Sequence, residues 1–440
     1  MNASRLWRVG FLAGAVVTST LAIGVGRHDA RAQPIDPRRP STFVVGAPAG
    51  AAPMHRVDGR RSGLTKALLP SGTLRIPWRK PTSLTVDQPA LAGPDGLLAV
   101  VSTRGDVVFL DEGGEERGMV RVGASQVGPA TITSDGTVVY TTSNGEAVGV
   151  RRTSTSPRFT TRIGGERNSR GAAPLSLDDG GVVVATMSDL VVLDAEGNVR
   201  ARAALPEPAA APLVAAGDKI VAVTTTGAVF GWTPGREPMR LGSFGAPIDG
   251  GAALADPTTL VAVIEGNQLA EVDLARGGRR TRGIAAPASS AAQVLWLGPP
   301  ALRRADAGPG ASPSGDKSLA TMLALTTTRG YVVTVDGAGQ ELLRAPIASF
   351  TPTILADGGA APLVAPSHVA PLVDVRGAIA YAATDGHVGV VSPDGAVDEI
   401  GEILCPRGLR SGVVGLTPFA AGSFAVTCDG GTVVRVTGSR

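Results

Sequence analysis

Eight times along this 440-residue chain, a short run of β-forming residues halts at a two-residue turn and a second run begins at once. The first hairpin takes Val100 to Thr103 through Arg104-Gly105 into Val107 to Leu110. The others turn at Asn144-Gly145, Ser188-Asp189, Thr226-Gly227, Glu265-Gly266, Arg329-Gly330, Asp385-Gly386 and Asp429-Gly430. Glycine suits such turns because tight hairpins need positive φ, which it adopts without steric cost. The turns are spaced by 40, 43, 39, 39, 64, 56 and 44 residues. A period near 40 built from short strands implies four-stranded propeller blades. The runs alternate with period two, which excludes a helical solenoid of the same period.

Two further strands flank each hairpin. Small, Pro-containing or Gly-rich segments precede it: Gln88-Pro89-Ala90, Gly128-Pro129-Ala130, Ala173-Pro174-Leu175, Ala211-Pro212-Leu213 and Gly251-Ala252-Ala253. These suit innermost strands, where blades crowd the axis. Polar, Arg-rich segments follow it: Gly118 to Val122, Arg158 to Ile163, Val199 to Leu205, Met239 to Phe244, Arg279 to Ile284, Glu341 to Ile347 and Val397 to Ile403. These suit outermost strands. Aromatics make up only 4% of the chain, so its core must come from small and β-branched side chains.

Seven outer segments serve eight hairpins, so the last blade lacks one strand. Thr73 to Trp78 resembles it, and we expect Leu74, Ile76 and Trp78 to pair with Thr432 to Val436 and close the ring. Closure removes the free edges of an open fan of blades. The expected fold is therefore all-β: an eight-bladed propeller of four-stranded antiparallel blades, with seven blades as the alternative. Cys405 and Cys428 are the only cysteines. A bridge between them would tie the seventh blade to the eighth, the alternative being two separate buried thiols.

Residues 1–32 read as a signal peptide. Arg5 and Arg8 precede an apolar stretch from Phe11 to Val25, and Ala30-Arg31-Ala32 forms a cleavage site before Gln33. The rival is an uncleaved anchor helix, for which the apolar run is short. No Cys near the cleavage site could take a lipid, and no twin-Arg pair precedes the apolar run. Residues 33–70 read as a flexible Pro/Ala/Gly-rich leader and 71–440 as the propeller. Mobile insertions are expected near 298–318 and 356–370, where a disordered insertion competes with a functional lid. The expected location is periplasmic or extracellular, with no transmembrane span in the mature chain.

The net charge of +3 vanishes once Arg5, Arg8, Arg27, Arg31 and Asp29 leave with the signal. A near-neutral surface gives no electrostatic case for nucleic acid or anionic lipid.

Asp336-Gly337-Ala338-Gly339-Gln340-Glu341-Leu342, Asp194-Ala195-Glu196-Gly197 and Ser392-Pro393-Asp394-Gly395 resemble the turn of the pyrroloquinoline-quinone-like propeller repeat. So does His55-Arg56-Val57-Asp58-Gly59-Arg60-Arg61-Ser62-Gly63, followed by Arg75-Ile76-Pro77-Trp78. The resemblance covers Met54 to Thr437 and implies a propeller. The family includes quinoprotein dehydrogenases and non-enzymatic members, such as a lipoprotein of outer-membrane barrel assembly. Its dehydrogenases carry an adjacent Cys-Cys disulfide, a quinone-stacking Trp and calcium-binding Glu, Asn and Asp. This chain has no Cys-Cys pair and only Trp7, Trp78, Trp232 and Trp296. The resemblance is thus to the non-enzymatic branch.

No catalytic, cofactor or metal residue is assigned. His55, His368 and His387 lack metal-ligand spacing. Asp178-Asp179 and Asp111-Glu112 fall at turns, where Asp binds nearby backbone. The reading favours a monomeric binding or scaffold module of the cell envelope, with a protein or glycan partner and no cofactor. Its alternative is a quinone-dependent dehydrogenase or other propeller enzyme with its site in the axial funnel.

Overall fold

A computed structural model describes residues 52, 54, 57–61, 63–164, 172–265, 268–283, 301–304, 321–326, 331–336, 341–346, 353–354, 360–361, 369–382, 386–400, 404–405 and 412–439. The expected signal peptide lies outside them. All the described residues fall within the unit Pro40–Arg440.

The hairpins form, and each gains a strand on either side. In the first blade Leu91–Ala92, Leu98–Val101, Val107–Leu110 and Glu116–Val120 lie side by side in chain order. Seven sheets have four antiparallel strands; one more has four antiparallel strands and a fifth, parallel one. Counting that sheet as a blade gives eight. The first strands of neighbouring blades adjoin, and the inner strand Val413–Pro418 of the last blade meets Leu91–Ala92 of the first, so the blades form a ring. The fold is an all-β propeller.

Burial explains the strand chemistry. Middle strands pack against neighbouring blades on both faces, and several therefore read as unbroken apolar runs: Val182–Ala185 and Val107–Leu110 are buried at every position. Outer strands such as Val199–Ala204 meet solvent and alternate with charge. Glycine is required where a turn also meets the next blade. At Gly227, with φ at 81°, a Cβ atom would fall 2.0 Å from the carbonyl oxygen of Ala246.

The closing strand is Leu74–Pro81. It pairs antiparallel with Thr432–Gly438, in the sheet order closing strand, Thr432–Gly438, Ser423–Cys428, Val413–Pro418. The closing strand and the last strand of the chain therefore share one blade.

Three stretches expected as leader or insertions hold described strands. The leader expected over 33–70 touches the propeller. Ala52, Met54, Val57, Ala67 and Leu69 are buried, and Leu64–Thr65 is the fifth, parallel strand beside Leu372–Asp374 of the seventh blade. The insertion expected near 298–318 contains Ala301–Arg304, the inner strand of the sixth blade, paired with Thr321–Thr326. The insertion near 356–370 contains Ala360–Ala361, paired with Thr353–Ile354. All three stretches lack the alternating pattern, because their partners lie far along the chain or their strands are very short.

Candidate functional site

The centre of the ring is where propeller funnels hold ligands, and here the chain itself runs along the inner strands that line it. The described part of 52–69, which we call the strap, reaches blade after blade through backbone hydrogen bonds. Ala52 exchanges both its bonds with Ala92 of the first blade, at 2.9 and 3.1 Å. Met54 bridges Thr131 of the second. The carbonyl of Gly59 accepts from Ala215 N of the fourth blade at 2.7 Å, and that of Arg60 from Leu254 N of the fifth at 3.0 Å. Gly63 O accepts from Val373 N of the seventh at 3.0 Å, and Leu68 O from Gly422 N of the eighth at 3.0 Å. Leu64–Thr65 adjoins the sixth blade's inner strand.

Arg61 anchors the middle of the strap and is 0% exposed. Its Nε donates to the Leu213 carbonyl at 2.8 Å, and its Nη2 donates to those of Pro174 and Ala173, at 2.8 and 3.2 Å. One side chain thus joins the third and fourth blades. Burial pulls its pKa down to about 10, opposed by the nearby charge of Asp58, so it remains a cation at neutral pH. Five hydrogen-bonding N–H groups in a planar fork suit such carbonyl-lined sites.

Asp374 and Arg376 grip the strap where it leaves the axis. The fully buried Asp374 carboxylate accepts Leu69 N at 2.9 Å, while Arg376 Nη2 donates to Leu69 O at 2.7 Å. The two side chains are themselves ion-paired at 2.9 Å. A shallow cleft remains where strap residues Ala52, Met54 and Val57 meet Pro89, Leu416 and Pro418.

The sequence-predicted residues lie elsewhere. Leu74 is buried opposite Gly438, and Ile76 packs partly buried against the largest core cluster. Trp78 Nε1 donates to Glu112 O at 2.8 Å, and its ring lies where a Cβ on Gly114 would fall. Arg435 joins the same Glu112, donating to its backbone carbonyl at 2.9 Å and its carboxylate at 2.7 Å. The closing strand is thereby fastened to the first blade as well as the eighth.

Cys405 and Cys428 are bonded as a disulfide, with Cα atoms 5.6 Å apart and a sequence separation of 23. Closing a loop of that length restricts the unfolded chain by about 3 kcal/mol. Replacing both residues with Ser is expected to lower the midpoint of denaturant unfolding by that equivalent.

His387 is half-buried, whereas His55 and His368 lie outside the described residues. Among the described residues no cluster of His, Cys, Asp or Glu is placed to hold a metal ion, and no helix is long and apolar enough to cross a membrane.

The turn aspartates act on the backbone. Asp111 Oδ1 accepts from Gly113 N and Glu115 N, and Asp179 Oδ1 from Gly181 N. Asp135 does more. Desolvation raises its pKa, but hydrogen bonds from Thr133, Arg158 and Thr137 and the charge of Arg151 outweigh this and pull it to about 2. Arg158 also reaches Glu196 of the third blade at 3.3 Å. A depressed folded pKa contributes stability above the unfolded value of 3.8 that fades as pH falls through about 2. Asp135→Asn is expected to cost about 1 kcal/mol at pH 7, after allowance for solvent screening, and little near pH 2. Parallel denaturant titrations at the two pH values check it.

Sequence reasoning missed Arg61, Asp374 and Arg376 as parts of a central site. The run Asp58-Gly59-Arg60-Arg61-Ser62-Gly63 was the available signal: paired arginines between glycines in a stretch otherwise without pattern.

No protein family profile matches the chain, and no curated protein matches it. Solved structures do. BamB from Moraxella catarrhalis is 16% identical with a TM-score of 0.54, over 83% of this chain and 98% of that one. A computationally designed protein, Ika8, is 16% identical with a TM-score of 0.53, over 81% and 98%. An inactive virginiamycin B lyase from Staphylococcus aureus is 11% identical with a TM-score of 0.49, over 83% and 99%. At these identities the likeness to the first two is one of β-propeller fold.

Proposed function

We propose that the protein is a binding or scaffold propeller of the cell envelope, akin to the non-enzymatic branch of pyrroloquinoline-quinone-like propellers. It is exported by a cleaved signal peptide over residues 1–32 and acts as a single ring that docks a protein or glycan. The observation that carries this reading is the strap. The inner strands that line the axis, where the rival reading places a quinone, are engaged by strap backbone and by the buried Arg61 side chain. The fold likeness to BamB accords with it. The resemblance of the turn segments Asp194 to Gly197 and Ser392 to Gly395 to that repeat also supports it.

The test has two arms. Mass spectrometry of a C-terminally tagged chain from fractionated cells should find Gln33 at the amino terminus, in the periplasmic or secreted fraction. A cytoplasmic, uncut chain would sink export. In the second arm, envelope crosslinking followed by tag capture should recover a defined partner. Purified protein heated with quinone and calcium should keep its melting temperature; a rise of several degrees would restore the enzyme reading.

A further inference from the structure

The geometry points to the axial side of the ring as a receptor site for an arginine-bearing peptide that turns at its arginine and continues as a strand, with the strap as its resident occupant. This deepens the binding-module reading and rests on it. The groups that hold the strap belong mostly to the ring, and most are main-chain groups: Ala215 N, Leu254 N and Val373 N as donors, and the carbonyls of Ala173, Pro174 and Leu213 as acceptors. Main-chain recognition accepts many sequences in extended form, as in strand addition at a sheet edge. Leu64–Thr65 is such an addition, lying parallel to Leu372–Asp374 on the axial side of its blade. Selectivity falls to one position, where three converging carbonyls call for the planar donor fork of arginine.

The resident does not fit without strain. Val57 has φ at 78° and Arg61 at 57°, in the left-handed region that side chains with a Cβ disfavour, a β-branched one most of all. Both lie beside tight turns closed by Val57 N to Met54 O at 2.9 Å and Arg61 N to Asp58 O at 3.1 Å. Strain of this kind persists only where surroundings impose it, and it leaves room for a competitor that relaxes it. The tether leaves the axis through Leu68, which is 43% exposed, and continues through the exposed 71–73 to the closing strand. The occupant is held at high local concentration but has no covalent bond to the site.

The test uses the full chain with a protease site inserted in the exposed 71–73 stretch and a fluorescent synthetic peptide of residues 51–70. The cut chain should take up the labelled peptide saturably, by exchange with its severed strap. An Arg61→Ala peptide should bind at least about 30-fold more weakly, the least loss expected for a buried charge-assisted hydrogen-bond set. No uptake by the cut chain, or equal uptake of the two peptides, overturns the proposal. A second variant covers a cut chain that unfolds. Uncut full-length Arg61→Ala should take up the wild-type peptide at least tenfold better than the uncut parent, and equal uptake by both also overturns it. Failure in these arms leaves the crosslinking test of envelope binding standing, because capture there needs no vacated axis.

Discussion

Replacing Leu74–Pro81 with a Gly/Ser segment of equal length is expected to abolish the single cooperative thermal transition of the protein. The variant should elute as aggregate in size-exclusion chromatography. The substitution keeps the tether of the strap at its natural length and removes only the pairing. Thr432–Gly438 then loses its partner and presents seven residues of open edge. The lost ladder, the burial of Leu74 and the Trp78–Glu112–Arg435 contact together contribute on the order of 5 kcal/mol or more. That is comparable to the whole net stability of an ordinary domain, about 5–15 kcal/mol. An unpaired edge also invites pairing with other chains. A monodisperse variant melting at the parent temperature would show that the ring holds without its clasp.

Arg61→Met should lower stability by about 4 kcal/mol while leaving the chain folded. Methionine fills much of the volume but leaves the carbonyls of Leu213, Pro174 and Ala173 without this donor, and orphaned buried acceptors cost about 1–3 kcal/mol each. Leu213 N still donates to Ala173 O at 3.3 Å, so one of the three keeps a partner and the loss stays near the lower end of the sum. For a body of this size, the per-residue unfolding entropy converts the loss into a fall of about 5 °C in Tm. Arg61→Lys should fall between, since one ammonium cannot reach three carbonyls in a plane. Differential scanning calorimetry reads all three proteins. An unchanged Arg61→Met profile would remove the anchoring role given to the guanidinium.

The hairpins were legible because their causes are local. Val107–Leu110 is apolar at every position and its equivalents are mostly so, and the turns that join them favour glycine or a small polar residue. The closing strand could be inferred by counting, since seven outer segments cannot serve eight hairpins. The strap could not. Its hydrogen bonds run to Ala92, Ala215, Leu254, Val373 and Gly422, each fixed by the ring rather than by its own neighbours. A segment held this way needs no periodicity, and its Pro, Ala and Gly read as a loose leader. Ala301–Arg304 escaped notice for a related reason, as four residues inside a Pro/Gly/Ala/Ser-rich stretch carry no pattern long enough to detect. The turn aspartates were legible in type and location, but not the union of Asp135 with Arg151 and Arg158, which brings three elements together.

The pairing of Leu74–Pro81 with Thr432–Gly438 also sets a clock on biosynthesis. Some 350 residues separate Pro81 from Thr432, so at about 5–20 residues per second the clasping strand waits roughly 20 to 70 s for its mate to be made. It is written for that delay. Arg75, Pro77, Arg79 and Pro81 occupy its outward positions, and cations and prolines deter premature pairing with any other strand that emerges meanwhile.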